Sequence, residues 1–467
     1  MIGPSHRLLL PMKTSLFLLA CLFGFGIAAE ARTTPEKPNI IFILSDDLAQ
    51  GDLGCYGQTL IKTPNLDRMA QEGTRYMQGY SGTTVCAPSR ASLITGLHMG
   101  HCPIRANREL QPEGQMPLPE GTVTVAQILK GVGYSTACIG KWGMGMFDTA
   151  GSPLKVGFDH FFGYNCQRHA HSYFPKYLYN DDQRFELKGN SDPSPNAPKT
   201  YAQNLIADET LSWVRAHAQQ PFFLYYSVTL PHAKLEIDDL GAYAHTDWTL
   251  EQKTYAAMVT RLDSDIGRLL SLLKELQIDE RTLVMMSGDN GSSYPPKSAV
   301  GAAFKQAANG LRGFKRELYE GGLRQASIAR WPGQIPAGRV TSEPWAFWDF
   351  LPTAAELGGA RIPAGFETDG FSLVSFLKGG HAPKRDYFYW ELLEGRFQQA
   401  IRFGKWKGVR SGPARPLELY DLEADPAESK DIGAEHADLL AKAEKWMSAA
   451  RVESPLWPAD YAKNQRK

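Results

Sequence analysis

The chain has 467 residues, of which 43% are hydrophobic, and it carries 50 Lys plus Arg against 50 Asp plus Glu. A formal charge of zero provides no basic field that would attract nucleic acid or an acidic membrane, so the composition favours a small or neutral partner. The length exceeds the size at which single hydrophobic cores stop growing and predicts one large domain with a smaller one.

The first segment, residues 1–31, resembles a cleaved secretory signal. Basic residues such as Arg7 precede an apolar run that ends at Ala29 and is shorter than a membrane-spanning helix of roughly 20 residues. Lipid attachment at Cys21 is the less favoured alternative, because the residues after Cys21 remain apolar. We therefore expect an exported protein, periplasmic or secreted, with no stable insertion into a membrane.

Short β-rich apolar runs alternate with amphipathic stretches, which is typical of an α/β sheet covered on both faces. The four clearest predicted strands are residues 39–44, 134–140, 222–230 and 282–288. Between the first two, a short helix is predicted with Thr63 as its cap, Pro64 at its first position and Gly73 just past its end.

Each of the four strands ends in residues that could do chemistry. In chain order these are Asp46 and Asp47, Lys141, His232, and Asp289 with Asn290. Singly, such residues are typical of turns, but in an open α/β sheet ligands bind outside the carboxyl ends of the strands. We therefore expect the residues that follow the four strands to line one common pocket.

The acidic members of that pocket indicate a metal site. Adjacent carboxylates such as Asp46 and Asp47 repel each other unless a cation screens them. With Asp289 and Asn290 they offer hard oxygen ligands, which suit Ca²⁺ or Mg²⁺ rather than copper or a thiolate zinc site. We favour Ca²⁺ and keep Mg²⁺ as the alternative.

The stretch from Thr83 to Gly96, TTVCAPSRASLITG, places a cysteine where a loop enters a helix. Pro88 is tolerated in a first helical turn, so Cys86 is predicted to lie just before a helix N-terminus, where amide dipoles favour an anion. Cys86-Ala87-Pro88-Ser89-Arg90 resembles the motif of the formylglycine-dependent sulfatases of the alkaline phosphatase superfamily. Further segments resemble the same family in the same order: ILSDDLAQGDLGCYG, GKWG, LPHAK, SGDNG, LRGFKRELYEGGLR and LELYDLEADPAE.

The resemblance implies a fold. It is α/β, an alkaline-phosphatase-like large mixed sheet sandwiched by helices over residues 32–380. A smaller C-terminal α+β subdomain, a short antiparallel sheet plus a helix, is expected over residues 381–467 and is expected to border the pocket. Short strands after about Gly380 and an amphipathic stretch from about Ala434 agree with this division.

The resemblance also implies an activity, that of a sulfuric ester hydrolase. A separate maturation enzyme would oxidise Cys86 to the aldehyde formylglycine, whose hydrate carries two hydroxyls. One hydroxyl attacks sulfur, and loss of the proton from the other expels sulfate and restores the aldehyde. The implied roles are metal binding by Asp46, Asp47, Asp289, Asn290 and the Cys86-derived oxygen, stabilisation of that oxygen by Arg90, binding of sulfate oxygens by Lys141 and Lys315, and general acid catalysis by His232.

The sequence departs from the family pattern at Gly143, where many members have a histidine that contacts the formylglycine hydroxyl. The segment just downstream, GYNCQRHAHSYFP, offers replacements. We expect Gln167 to contact sulfate and either His171 or His169 to replace the missing imidazole.

The expected substrate is a sulfated saccharide or an aryl sulfate. Aromatic residues between Tyr164 and Lys199 could stack on sugar rings, although such residues more often pack a hairpin. One alternative function is a phosphoesterase or phosphonate monoester hydrolase of the same superfamily. A second is a catalytically silent binder of sulfated glycans. The five cysteines after Cys21 are odd in number, which indicates that one is special and leaves the others paired or free.

Overall fold

The computed structural model describes residues 37–111, 113–194, 197–304, 310–412 and 415–461. The predicted secretory segment, including Cys21, lies outside the described residues. The strands are β1 Asn39–Ser45, β2 Thr74–Tyr76, β3 Gly79–Tyr80, β4 Ser135–Lys141, β5 His160–Tyr164, β6 Tyr177–Asn180, β7 Gln183–Glu186, β8 Phe222–Val228, β9 Thr282–Gly288, β10 Arg324–Gln325, β11 Ser327–Arg330, β12 Arg339–Thr341, β13 Trp345–Ala346, β14 Phe388–Leu392, β15 Gln398–Phe403, β16 Trp406–Arg410 and β17 Glu418–Asp421.

The largest sheet has ten strands in the order β12-β2-β11-β9-β1-β8-β4-β5-β6-β7. Its five central strands, from β9 to β5, are parallel, and antiparallel strands flank them on both sides. Ile41 of β1 pairs with Leu224 of β8 and with Val284 of β9. This register places the carboxyl ends of β1, β4, β8 and β9 at one edge of the sheet.

Helices cover both faces of this sheet, as the apolar runs predict. They are α1 Pro64–Gln71, α2 Cys86–Thr95, α3 Val125–Lys130, α4 Ala202–Ala216, α5 Leu250–Glu275, α6 Ala299–Phe304, α7 Glu320–Leu323, α8 Phe350–Gly358, α9 Val374–Leu377 and α10 Ala437–Ala449. Ile41 and Ile43 belong to a core with α1, α4 and α5, whereas Phe42 faces a core with α2, α3 and α8. Alternate residues of a strand point to opposite faces, so the unbroken apolar run of β1 supplies both cores.

The last four strands, β14 to β17, form an antiparallel sheet of their own. One face packs against α10 through Ile401, Leu419 and Met447. The other face packs on the larger body of the molecule, where Trp390 and Trp348 belong to one apolar cluster. A large mixed sheet flanked by helices and a small C-terminal sheet with a helix are the predicted architecture, and the fold prediction is confirmed.

Local predictions differ from the structure in three places. Thr63 occupies the N-cap position of α1, but its side chain does not cap the helix: it accepts from the Gly54 amide at 2.8 Å and donates to Asp67 at 3.2 Å. Helix α2 begins at Cys86 itself, one residue earlier than expected. The last helix starts at Ala437 because residues Gly433–Glu435 form a 3₁₀ turn before it.

Within the described residues, no helix is both long and apolar enough to cross a bilayer. The described residues from Lys37 onward form one compact unit. The predicted domain boundary at residue 380 falls between α9 and β14.

Candidate active site

The strand ends bring the predicted acidic residues together. Asp46 and Asp47 follow β1, Asp289 and Asn290 follow β9, and at most 2% of each residue is exposed. The Asp47 amide donates to Asp289 Oδ1 at 3.1 Å, which holds the two carboxylates side by side. Asp47 has a φ of +64°, a left-handed conformation that Asp tolerates better than most residues.

Two lysines lie against these carboxylates. Lys141, the last residue of β4, places Nζ 2.5 Å from Asp46 Oδ2, and Lys315 places Nζ 2.6 Å from Asp47 Oδ1. Both side chains are buried. Burial opposes the charge of Asp46, but Lys141 and the other nearby cations hold the pKa of Asp46 well below its ordinary value. The two ammonium groups are therefore fixed charges rather than solvated surface groups.

Cys86 is the first residue of α2 and lies at the bottom of the site. Its Sγ is 3.4 Å from Asp46 Oδ1 and 3.5 Å from Lys315 Nζ, and only 3% of the residue is exposed. Burial, together with the charge of Asp46, raises the pKa of the Cys86 thiol to about 12. The next amide, that of Ala87, donates to Asn107 Oδ1 at 3.0 Å and fixes the start of the helix.

Arg90 lies one turn further along α2 and is fully buried. Its Nε and Nη2 donate to Asp289 Oδ2 at 3.1 and 2.8 Å, and its Nη2 is 3.4 Å from Asp46 Oδ2. Its Nη1 donates to Ser227 and, at 3.2 Å, to the Lys141 carbonyl. Arg90 thus positions two of the predicted metal ligands and the end of β4.

The predicted metal ligands fit a divalent cation. Ligand atoms of Asp46, Asp47 and Cys86 lie within 4.8 Å of one another and of a ring nitrogen of His232, which was not a predicted ligand. Asp289 is not in this group of four and lies beside it through the Asp47 amide. The side-chain oxygen of Asn290 is buried and has no hydrogen-bond partner among the described residues. Burial, and after it the charge of Asp46, raises the pKa of Asp289 above its ordinary range. An unpartnered oxygen beside crowded carboxylates is the arrangement that Ca²⁺ or Mg²⁺ would satisfy.

The structure separates the two candidate histidines. His171 lines the pocket, and its ring stacks on that of His232 with centroids 4.9 Å apart and planes 16° apart. The ring of His169 instead contacts the Tyr177 carbonyl through Nε2 at 2.8 Å and approaches Glu113 at 3.8 Å through Nδ1. His169 is not among the residues that line the pocket.

His232 and Gln167 face the same space. His232 Nε2 is 3.6 Å from Asp47 Oδ2, and burial lowers the pKa of His232 to about 4, so the imidazole is neutral at neutral pH. Gln167 lines the pocket and is 6% exposed. Both of its amide atoms have no hydrogen-bond partner in the part of the chain that the structure describes.

These groups form one end of a cavity of about 440 Å³. Its other walls come from the loop that carries Asn107, Glu109 and Gln115, which sequence reasoning missed, and from C-terminal residues that include Glu394 and Tyr461. The C-terminal subdomain was expected to border the pocket, but these two residues were not identified in advance. Sequence reasoning also missed Ser293, whose hydroxyl donates to Asp47 Oδ2. Ser293 lies two residues after the SGDNG segment, so its position in the sequence could have indicated that it lies near the acidic residues. The sequence around Glu394 did not indicate which residues of the C-terminal subdomain would face the pocket.

Comparison with protein families gives two matches. The family model described as Sulfatase matches residues 38–360. The model described as N-sulphoglucosamine sulphohydrolase, C-terminal, matches residues 312–452. Together they span nearly all of the residues that the structure describes.

Individual proteins give the same result. The chain is 34% identical to N-acetylgalactosamine-6-sulfatase from Canis lupus familiaris, over 84% of this chain and 74% of the relative. It is 32% identical to human arylsulfatase A, over 89% of this chain and 86% of the relative. A solved structure of Ps i-CgsB in complex with k-i-k-neocarrahexaose superimposes with a TM-score of 0.79 at 26% identity, covering 92% of this chain and 96% of that chain.

Proposed function

Because this chain belongs to the sulfatase family, whose members are sulfuric ester hydrolases, we propose that it removes sulfate from a sulfated carbohydrate bound above Cys86. The observation that carries this proposal is the position of Cys86 at the base of the pocket, between Asp46 and Lys315 at 3.4 and 3.5 Å. Carbohydrate is the favoured substrate because one relative is named N-acetylgalactosamine-6-sulfatase and one structural neighbour was solved in complex with k-i-k-neocarrahexaose.

The nucleophile is formylglycine made from Cys86, and in this structure the sulfur stands in for its oxygen. Asp46, Asp47, Asp289 and Asn290 hold the divalent cation, which we propose to be Ca²⁺, with Mg²⁺ as the alternative. When both groups are present, the aldehyde hydrate supplies a nucleophilic oxygen and the cation supplies positive charge beside it.

Lys141 and Lys315 bind the outer oxygens of the sulfate group. Both ammonium groups are already held by carboxylates and buried, so they need little reorganisation as negative charge grows on those oxygens. Preorganised donors of this kind contribute on the order of 3 kcal/mol each to transition-state stabilisation. Arg90 keeps Asp46 and Asp289 oriented and so supports the nucleophile.

His232 delivers a proton to the leaving alcohol. Its buried Nδ1 has no hydrogen-bond partner among the described residues, and a bound anion would raise the pKa of the ring from its low value. Gln167 donates to a sulfate oxygen. His171, which stacks on His232, takes the role of the imidazole that Gly143 lacks, whereas the contacts of His169 with the Tyr177 carbonyl favour a packing role for that ring.

Export from the cytoplasm and oxidation by a formylglycine-generating maturation enzyme belong to the same proposal. A secreted or periplasmic location would give the enzyme access to extracellular sulfated polysaccharide. The supporting features are the apolar N-terminal run in the sequence and the Cys86-Ala87-Pro88-Ser89-Arg90 motif.

The test is co-expression of the full chain with a formylglycine-generating enzyme. We expect the tryptic peptide that contains Cys86 to have the mass of the aldehyde, and the protein to release sulfate from 4-nitrophenyl sulfate or from a panel of sulfated saccharides. Cys86→Ala should abolish release, whereas Cys102→Ala, which changes another buried free cysteine, should retain it. Elemental analysis of the same protein would identify the cation.

Three results would contradict the proposal. The first is sulfate release that survives Cys86→Ala. The second is faster hydrolysis of 4-nitrophenyl phosphate than of 4-nitrophenyl sulfate, which would favour a phosphoesterase instead. An intact thiol in every preparation that also binds sulfated glycans without hydrolysing them would favour the silent binder.

A further inference from the structure

The part of the cavity away from Cys86 has a wall that the proposed chemistry does not use. We call it the outer wall and define it by Glu109, Gln115, Arg316, Glu394 and Tyr461, all of which line the cavity. Within the described part of the chain, none of these residues forms a hydrogen bond or an ion pair with a predicted metal ligand. The outer wall therefore faces whatever group carries the sulfate.

Buried polar atoms in the outer wall lack partners. Gln115 is 1% exposed, and neither its Oε1 nor its Nε2 has a hydrogen-bond partner in the described chain; the same is true of the hydroxyl of Tyr461, which is 7% exposed. Leaving a buried donor or acceptor unpaired is unfavourable, because the group has given up its hydrogen bonds to water. Neutral donors and acceptors that are held ready in this way fit a ligand with hydroxyl or amide groups.

The position of Gln115 is rigid. It forms an isolated antiparallel bridge with Glu109, and Met116 donates to the Arg108 carbonyl at 2.8 Å in the same hairpin. Residues that face each other in an antiparallel bridge point to the same side, which explains why both side chains enter the cavity. Gln115 is therefore held in place by the backbone rather than by its own side-chain contacts.

The charges of the outer wall are unfavourable for an anion. Glu394 accepts from the Asn107 amide at 2.9 Å and pairs with Arg316 at 3.2 Å. Glu109 pairs at 3.7 Å with Arg168, which is not part of the lining. The outer wall thus has two carboxylates and one guanidinium, and all three are already paired. Arg108, whose charge reaches Tyr461, is not part of the lining. A second acidic group on the ligand would lie near these carboxylates, and the described lining has no unpaired cation to bind it.

We propose that the outer wall selects a sugar ring that is uncharged apart from the single sulfate ester, and that Gln115 is a specificity-determining residue that hydrogen-bonds a hydroxyl or acetamido group of that ring. Glu109 and Glu394 exclude uronates and sugars with a second sulfate. This inference rests on the proposed function, because it assumes that the sulfate lies at the Cys86 end of the cavity.

The experiment measures binding with the full-length Cys86→Ala protein, which cannot be matured, so that turnover does not interfere. The probes are galactose 6-sulfate, N-acetylgalactosamine 6-sulfate and N-acetylglucosamine 6-sulfate, each compared by calorimetry with its disulfated counterpart. We expect at least one monosulfated sugar to bind about ten-fold or more tightly than its disulfated partner. Equal or tighter binding of the disulfated sugars, or no binding of any monosulfated sugar, overturns the inference.

Variants then assign the effect to residues. Gln115→Leu should weaken binding of the preferred monosulfated sugar about ten-fold. Glu394→Gln should reduce the difference in affinity between a monosulfated sugar and its disulfated counterpart. Gln183→Leu and Glu186→Gln, on the exposed strand β7, make the same chemical changes away from the cavity and should change neither quantity. If Gln115→Leu does not fold, the pair comparison and Glu394→Gln still decide the question. No change with Glu394→Gln overturns the charge argument.

Failure of this inference differs from failure of the proposed function. If matured wild-type protein releases sulfate from 4-nitrophenyl sulfate but the disulfated sugars bind as well as the monosulfated ones, the inference is wrong and the sulfatase proposal stands. If the monosulfated sugars bind selectively and no ester is hydrolysed by matured protein, the selectivity stands and the hydrolytic proposal is wrong.

Discussion

Gly143, the residue at which the sequence departs from its family, has a physical reason to be glycine here. Its φ is +77°, in the left-handed region, and a Cβ added to it would lie 2.2 Å from Nε2 of Gln167. The Gly143 amide donates to the Asn165 carbonyl at 2.9 Å, which fixes this backbone against the segment that carries Gln167. The side chain of Gln167 thus fills the space that a side chain at position 143 would need.

A double-mutant cycle tests this relation. Gly143→Ala should destabilise the protein through two effects, a left-handed conformation that costs a non-glycine residue about 1–2 kcal/mol and a clash with Gln167. In a Gln167→Ala background only the conformational cost remains, so the two changes should be less than additive. The measurement is the free energy of unfolding by urea for the four proteins. Strict additivity would show that the two positions do not compete for space.

Among the elements, helix α5 carries a buried acid with no role in the proposed chemistry. Asp265 is 5% exposed and accepts from Gln203 Nε2 at 2.9 Å, with Arg268 at 3.6 Å. Burial outweighs these partners and raises the pKa of Asp265 to about 6. The folded protein therefore holds a proton on Asp265 over a pH range in which the unfolded chain has lost it.

The sign of the resulting pH dependence follows from proton binding. An unfolded Asp titrates near pH 4, so between about pH 4 and pH 6 the folded state binds more protons and stability falls as the pH rises. Asp265→Asn should remove this decline and stabilise the protein by about 1–3 kcal/mol at pH 7, because Asn keeps an acceptor for Gln203. The measurement is the free energy of unfolding by urea for wild type and Asp265→Asn at several pH values from 4 to 7. Parallel pH dependences of the two proteins would contradict the prediction. Asp208→Asn makes the same change at an exposed position and is the matched control.

At the scale of the whole molecule, a buried network of charges joins the C-terminal sheet to the larger body. Lys407 of β16 is fully buried and places Nζ 2.8 Å from Glu320 of α7 and 2.9 Å from Glu428. Tyr80 of β3 donates to the other oxygen of Glu320 at 2.7 Å. Helix α7 follows Lys315 by only a few residues, so this network also supports the backbone that carries a proposed sulfate-binding lysine.

Removing the central cation should be costly. Lys407→Met removes the cation that two buried carboxylates share, so that, among the described residues, Glu428 loses its ion-pair partner and Glu320 keeps only Arg324 at 3.6 Å. Breaking a buried pair in this way typically costs about 3–5 kcal/mol. The control is Lys405→Met, which removes a lysine paired with Asp421 at 2.6 Å that is 38% exposed, and which should change the unfolding midpoint little. Urea unfolding measures both. Equal effects of the two substitutions would show that the network does not hold the C-terminal sheet in place.

The sequence by itself determined the central strands and most of the acidic end of the site. The four predicted strands correspond to β1, β4, β8 and β9, with limits that differ by a few residues at most. A strand that is buried on both faces has a nearly continuous run of apolar residues, which is easy to identify in a sequence. Because parallel neighbours end at the same edge of a sheet, Asp46, Lys141 and Asp289 had to converge once those strands were correctly assigned.

Only the tertiary structure decided what surrounds that end. Nothing local distinguishes His171 from His169, and the two rings differ only because one stacks on His232 while the other packs near Glu113. Gln115 and Glu394 are nearly three hundred positions apart in the chain, and they meet in one cavity because the C-terminal sheet packs on the larger body. Contacts across such distances depend on how whole layers pack, and a periodic pattern within one segment carries no record of them.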